Sequence, residues 1–282
     1  MRRIAALLLA LLLCAGCESA ARRPADPVPR NSYDPDAFAV SGGYLTYGAG
    51  VSHVGVDVSS HQGEIDWQAA ADSGVEFAMI RAGYRGYTEG GLFEDACFAA
   101  NMDGALAAGL EVGVYFFSQA LTEEEALEEA DFLLSLIDGY PITYPVVFDW
   151  ERQSAETSRT READGSVITA CAAAFCSAVE AAGYLPMVYF SPSKAYGELD
   201  LSALTAWPFW LAHYTADYAF TTFRYHFSMW QYTSTGSVPG IRGNVDLDLA
   251  LTDFSPPQDE AADSAAPEGA PSASPAPEHP ED

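Results

Sequence analysis

The stretch "YPVVFDWERQ" (144–153) ends an apolar run in two carboxylates, Asp149 and Glu151. Residues i and i+2 of a strand share a face, so the two acids would point the same way, with Val147 before them. Phe148 and Trp150 would turn to the other side. Asp57, in "VGVDVSS", and Asp246, in "VDLDLAL", also stand at the edges of apolar runs. Grouped carboxyls suit glycoside cleavage. One protonated acid serves the leaving oxygen, and negative charge supports an oxocarbenium-like centre or activates a nucleophile. Crowding and burial hold one proton on while another group stays ionised. A lone D-x-E is common by chance, and such acids could instead cap a helix or meet Arg81 or Arg152. "VDLD" lacks the glycine and ligand spacing of a calcium loop. His61, in "SSHQG", sits near the proposed site, but no Ser/His/Asp, Cys/His or zinc arrangement can be placed.

The acids matter only if the elements bring them together. Strand-like stretches lie at 54–60, 76–84, 111–118, 145–151, 184–191, 208–215, 227–234 and 245–251. Asp66 and Gly74 bracket a first helix, and a second is expected over 94–108, ending at Gly109. Thr122 and Glu125 form a capping box for a third, with Ala126, Ala130, Leu133 and Ile137 as its apolar stripe and Gly139 closing it. A fourth spans about 164–182. The fold class is therefore α/β: an irregular TIM-like barrel of five βα units followed by three strands, with no convincing helix between the last ones. The C-terminal strand ends of such barrels carry active sites. Asp149, Glu151 and Asp57 fall there directly. Asp246 starts its strand, but a short helix-free link suits antiparallel neighbours, which would bring it to the same rim. Tyr84, Tyr115, Tyr189, Trp210, Tyr214, Trp230 and Tyr232 lie on or beside strands. About half are expected to face a sugar and the rest the core.

The chain has 282 residues and a net charge of −27, which argues against nucleic acid or anionic lipid as main partner. Residues 1–17, "MRRIAALLLALLLCAGC", read as a signal peptide, too short for an ordinary membrane span. Its "LCAGC" end resembles a bacterial lipoprotein box, although Cys14 stands where leucine is usual. Cys17 would carry the lipid, giving an exported protein anchored to the outer face of a bacterial membrane, or a secreted one if that cysteine is not modified. Residues 18–44 read as a flexible tether, 45–255 as the barrel, and 256–282 as a disordered acidic Pro/Ala-rich tail. Cys97, Cys171 and Cys176 read as unpaired buried residues.

The words "GVDVSSHQGEIDW", "FAMIRAGYR", "GVYFFSQA", "YPVVFDWE", "YLPMVYFS", "FWLAHYT" and "MWQYTSTGSVPGIRGNVDLDLAL" occur in this order. As an ordered set they resemble the family 25 glycoside hydrolases, lysozymes of the Chalaropsis and cellosyl type, over residues 54–251. The resemblance implies a five-βα, three-strand barrel that cleaves the β-1,4 bond between N-acetylmuramic acid and N-acetylglucosamine in peptidoglycan. It implies Glu151 as general acid and Asp149 as the group that polarises the substrate's 2-acetamido function or stabilises the charged intermediate. Asp57 and Asp246 match the other mouth acids, Tyr115 a tyrosine near the cleaved sugar, and Tyr189, Trp210 and Gln231 groove residues. No cofactor or metal is implied, and a monomer acting on glycan strands is expected. Phe116 and Phe117 stand where the family often has a histidine or other polar residue. A glycan-holding barrel without activity, or an enzyme on another N-acetylated glycan such as chitin, are the alternatives. Strand geometry puts Asp149 and Glu151 Cβ atoms about 6.6 Å apart. Rotamers can move their carboxyls into either the nucleophile or the inverting range. The resemblance favours a third route, attack by the substrate's own acetamido carbonyl with net retention.

Overall fold

The computed structural model describes residues 26–254. A hairpin of β1 (Phe38–Ser41) and β2 (Tyr44–Tyr47) precedes the barrel. Then follow β3 (His53–Val58), α1 (Trp67–Asp72), β4 (Phe77–Arg85), β5 (Leu92–Glu94), α2 (Phe98–Ala107), β6 (Glu111–Ser118), α3 (Glu123–Ile137), β7 (Val146–Trp150) and α4 (Gly165–Ala181). The chain continues through β8 (Pro186–Phe190), α5 (Pro192–Gly197), β9 (Phe209–Ala212), β10 (Met229–Gly236) and β11 (Val245–Ala250).

Eight of these strands close a barrel in the order β3, β4, β6, β7, β8, β9, β10, β11, with β3 paired to both β4 and β11. Seven run parallel. β11 is antiparallel to both β10 and β3, as the short link before it predicts. The register sets Asp246 directly opposite Asp57, so the reversed strand delivers its first acid to the rim where the others deliver their last. The five βα units and three further strands are present. β8 and α5 make the fifth unit, and β9 and β10 are parallel although only an irregular link with a 3-10 turn joins them.

The sheet separates two cores. Val56, Val114, Phe148, Trp150 and Phe190 face the helices, together with Cys171 and Cys176, which are buried and free. Phe77, Met79, Val147, Met187 and Met229 fill the barrel. Two glycines make that filling possible. A Cβ on Gly55 would lie 2.2 Å from the Phe77 ring, and one on Gly113 would lie 2.7 Å from Met79. Large interior side chains thus occupy space vacated by small residues on neighbouring strands.

The helix boundaries follow their caps. Asp66 Oδ1 accepts from Ala69 N, and Asp164 Oδ1 accepts from Ser166 N. At α3, Thr122 Oγ1 accepts from Glu125 N, but Glu125 Oε2 turns to Leu121 N, so the expected box is only half formed. The second helix begins at Phe98, later than expected. Residues Leu92–Glu94 pair with β4 as β5, and Asp95 turns its carboxylate to Arg81 and Cys97 N.

Residues 26–44 do not form the flexible tether that their composition implied. Asn31 N donates to Arg224 O at 3.0 Å, His226 N to Pro29 O at 2.9 Å, and Tyr33 Oη to Phe227 O at 2.7 Å. Val28 is buried, and Phe38 stacks on Phe220. Backbone hydrogen bonds and a few aromatic anchors hold an arm that has no periodic apolar pattern. Cys17, the apolar run before it and the tail beyond 255 lie outside the described residues.

Candidate active site

The ends of β3, β4, β6, β7 and β8 and the start of β11 surround a cavity of about 240 Å³. Asp57, Asp149, Glu151 and Asp246 all line it, joined by Tyr115, Tyr189, Trp210, Tyr214 and Gln231. The four acids, Tyr115, Tyr189, Trp210, Tyr214 and Gln231 are therefore at one mouth. Tyr84, Trp230 and Tyr232 are not: Tyr84 stacks on Phe93, and the other two sit in the outer core. Of the adjacent phenylalanines on β6, Phe117 lines the cavity while Phe116 packs outward.

The Asp149–Glu151 segment is held from behind. Trp150 faces away from the cavity, as strand alternation requires, and its Nε1 donates to Ala120 O at 3.0 Å. Buried Gln119 donates from Nε2 to Glu151 O at 2.7 Å and accepts from Thr160 Oγ1 at 2.7 Å. Arg152 does not pair with the mouth acids. It donates to the carbonyls of Thr160, Arg161 and Ala163 and to Glu198. β7 stops at Trp150, so Glu151 starts a loop, half-exposed, while Asp149 is buried.

A second network fixes the opposite wall. Gln231 Oε1 accepts from Tyr189 Oη at 3.0 Å and Tyr214 Oη at 2.6 Å. Two hydroxyl donors at that oxygen turn the amide nitrogen toward Asp57 Oδ2, 2.6 Å away. Trp210 packs edge-on against Tyr189 and Tyr115. Arg81, held by Asp95 Oδ2 and Ser60 Oγ, supplies positive charge to the wall.

The electrostatics follow from burial. Asp149 is pushed well above the carboxylate range by burial and then by Glu151, against the pull of Lys194 and Arg81. Asp57 is raised by burial, then by Asp248 and Asp246. Asp246 is raised to about 6, chiefly by burial. Lys194, Arg81, Gln119 and Asp248 are absent from the sequence-derived site. The sequence offers Arg81 only as a partner for the acids, and Asp248 has a readable signal because it shares a strand face with Asp246.

These shifts fix the sign of a pH effect. A carboxyl raised in the folded state stabilises the fold below its unfolded pKa, and that contribution disappears as pH rises through the folded value. We predict that the thermal unfolding midpoint falls between about pH 5 and 8, by the equivalent of about 1–3 kcal/mol. Asp246→Asn should flatten the lower part of that slope. A midpoint that rises over the same range would contradict the assignment.

The fold and the carboxyl-lined mouth define a barrel of glycoside-hydrolase type. Residues 56–241 match Glycosyl hydrolases family 25, and the chain belongs to that family. It is 28% identical to the autolytic lysozyme of Clostridium acetobutylicum over 199 residues, covering 69% of this chain and 54% of that protein. It is 29% identical to lysozyme M1 of Streptomyces globisporus over 213 residues, covering 68% and 65%. The autolysin LytC of Streptococcus pneumoniae, solved with a synthetic peptidoglycan ligand, superposes with a TM-score of 0.62 at 25% identity, covering 76% of this chain and 52% of LytC. The chain thus spans about half to two thirds of the length of these relatives.

Proposed function

We propose that this protein is a lysozyme that cleaves the β-1,4 bond between N-acetylmuramic acid and N-acetylglucosamine in peptidoglycan. The observation that carries the reading is the meeting of Asp57, Asp149, Glu151 and Asp246 at one barrel mouth. The lysozymes and the ligand-bound autolysin among its relatives supply the substrate class.

In this reading Glu151 is the general acid. The carbonyl oxygen of the substrate's 2-acetamido group attacks C1 as the C1–O bond to the leaving sugar breaks. Glu151 gives its proton to the departing oxygen. Positive charge develops on the cyclised acetamido group, and Asp149, which lines the mouth, stabilises it by accepting from the acetamido N–H. Water then adds to C1, Glu151 takes a proton back, and the ring opens with net retention. Asp57 and Asp246 bind substrate and shape the charge around the pair. Tyr115 and Tyr189 offer ring surface to the sugar, the buried Trp210 backs both rings, and Gln231 orients Asp57.

The full chain should clear purified N-acetylated peptidoglycan and leave chitin oligosaccharides intact. The opposite preference would sink the substrate reading. Early product that is mainly the inverted anomer would remove the acetamido route while leaving the substrate in place. The protein acts as a monomer outside the cell. The N-terminal apolar run and Cys17 support an anchor on the outer membrane face, so Cys17→Ser should abolish metabolic labelling with a fatty acid.

A further inference from the structure

Asp248 lies deeper than the four mouth acids and outside the cavity they line. It stands on β11, opposite Gln231 on one side and Gly55 on the other. Its Oδ1 accepts from Trp210 Nε1 at 2.9 Å, and indole N–H can only donate. Its Oδ2 is buried and takes no hydrogen bond from any donor among the described residues. Asp57 stands two residues along β3 from Gly55, so its side chain projects from the same face of the sheet, diagonal to Asp248. Asp57 Oδ2 is already committed to Gln231 Nε2, whose orientation two tyrosine hydroxyls dictate.

Donor counting therefore gives an unambiguous shortfall. Both carboxyls are buried, each accepts one fixed N–H, and no donor among the described residues remains for Asp248 Oδ2. Two buried anions side by side on adjacent strands are costly. A single proton between the two groups removes one charge and satisfies the orphaned oxygen.

We propose that Asp57 and Asp248 share one proton at neutral pH, and that Asp248 is a positioning residue that sets the charge and orientation of Asp57 at the mouth. Asp248 touches no substrate in this arrangement. It acts from behind, through Asp57, as one end of a rigid set that also includes Trp210 and Gln231. Asp57 then presents to substrate as half of a singly charged pair, which limits the negative charge crowded beside Asp149 and Glu151. Other groups act on the pair: Asp246 beside it on β11, Tyr115 from β6, Tyr189 from β8, and Tyr214. Asp246 opposes ionisation of the pair. The raised values of both carboxyls agree with one retained proton. The catalytic consequence rests on the lysozyme reading; the shared proton does not.

The test is carboxyl-carbon NMR on the full chain labelled at aspartate, with Asp248→Asn and Asp57→Asn. In the parent the Asp57 and Asp248 signals should move together in two macroscopic steps, with the pair half-protonated at pH 7. An asparagine amide at 248 can still accept from Trp210 and can donate to Asp57. Asp57 should then titrate in one step, at least about one pH unit lower. Asp57→Asn gives the same reading from Asp248's side, should the first variant fold poorly. The high-pH limb of the kcat profile on peptidoglycan should shift in Asp248→Asn, which simple loss of packing would not cause. Separate ionisation of both groups below pH 7 in the parent, or an Asp57 titration unmoved in Asp248→Asn, would overturn the proposal. A shared proton in a protein without peptidoglycan activity would leave this inference standing and remove the lysozyme reading.

Discussion

Glu151→Gln is expected to lower peptidoglycan hydrolysis by about 10²–10⁴-fold while leaving the protein folded and able to bind glycan. Glutamine keeps the shape and can still accept hydrogen bonds, but it has no carboxyl proton for the leaving oxygen. The site supports a clean result. Glu151 sits half-exposed just past the end of β7, and Gln119 grips its backbone carbonyl rather than its side chain. The substitution therefore removes chemistry without disturbing the buried network behind it. An equal loss of binding and turnover would mean that Glu151 holds substrate instead. Unchanged turnover would remove it from the mechanism.

The second large effect concerns stability. Arg85 is buried and donates to Glu129 Oε1 at 2.7 Å, Gly90 O at 2.8 Å, Glu125 O at 2.8 Å and Glu128 Oε2 at 3.1 Å. It joins β4, the β4–β5 turn and α3 at one point. Glu129 is almost wholly buried, and burial pushes it up to about 7 despite its partner. Arg85→Met should destabilise the fold by about 3–5 kcal/mol, because it leaves a buried carboxylate without its counter-charge. The loss should be greater near pH 8 than near pH 5.5. A carboxyl raised in the fold favours the native state while protonated, and this contribution fades as pH rises through its folded value. Arg85→Met with Glu129→Met should recover much of the loss, since an apolar pair of similar volume replaces both charges. Urea unfolding at the two pH values checks this. An effect independent of pH, with no recovery in the double variant, would show that Arg85 matters through its carbonyl contacts alone.

Much of this architecture is legible in the chain because each barrel strand is a short apolar run bounded by turn residues. Even the direction of β11 follows from its short link, and that inference carried Asp246 to the rim opposite Asp57. Reading failed where the stabilising contacts have no periodicity. Residues 26–44 bond through backbone atoms to a distant segment, so Pro, Arg, Asp and Ser disguise a packed arm. The parallel pairing of β9 and β10 across a link without an α-helix has no local signature. Gln119 and Lys194 are single polar residues between ordinary neighbours, and nothing in their spacing announces that one grips the Glu151 carbonyl and the other pulls on Asp149. Asp248 was visible only as the second acid of "VDLD", and the calcium alternative considered there did not point to a neighbouring carboxyl.

The most direct test of the account is the identity of the sugar at the newly formed reducing end. Peptidoglycan digested with the full chain, reduced with borohydride and hydrolysed should yield muramitol, and the Glu151→Gln protein should yield almost none. Glucosaminitol as the main reduced sugar, or equal muramitol from both proteins, would contradict the central claim that this carboxyl-lined mouth cuts after N-acetylmuramic acid.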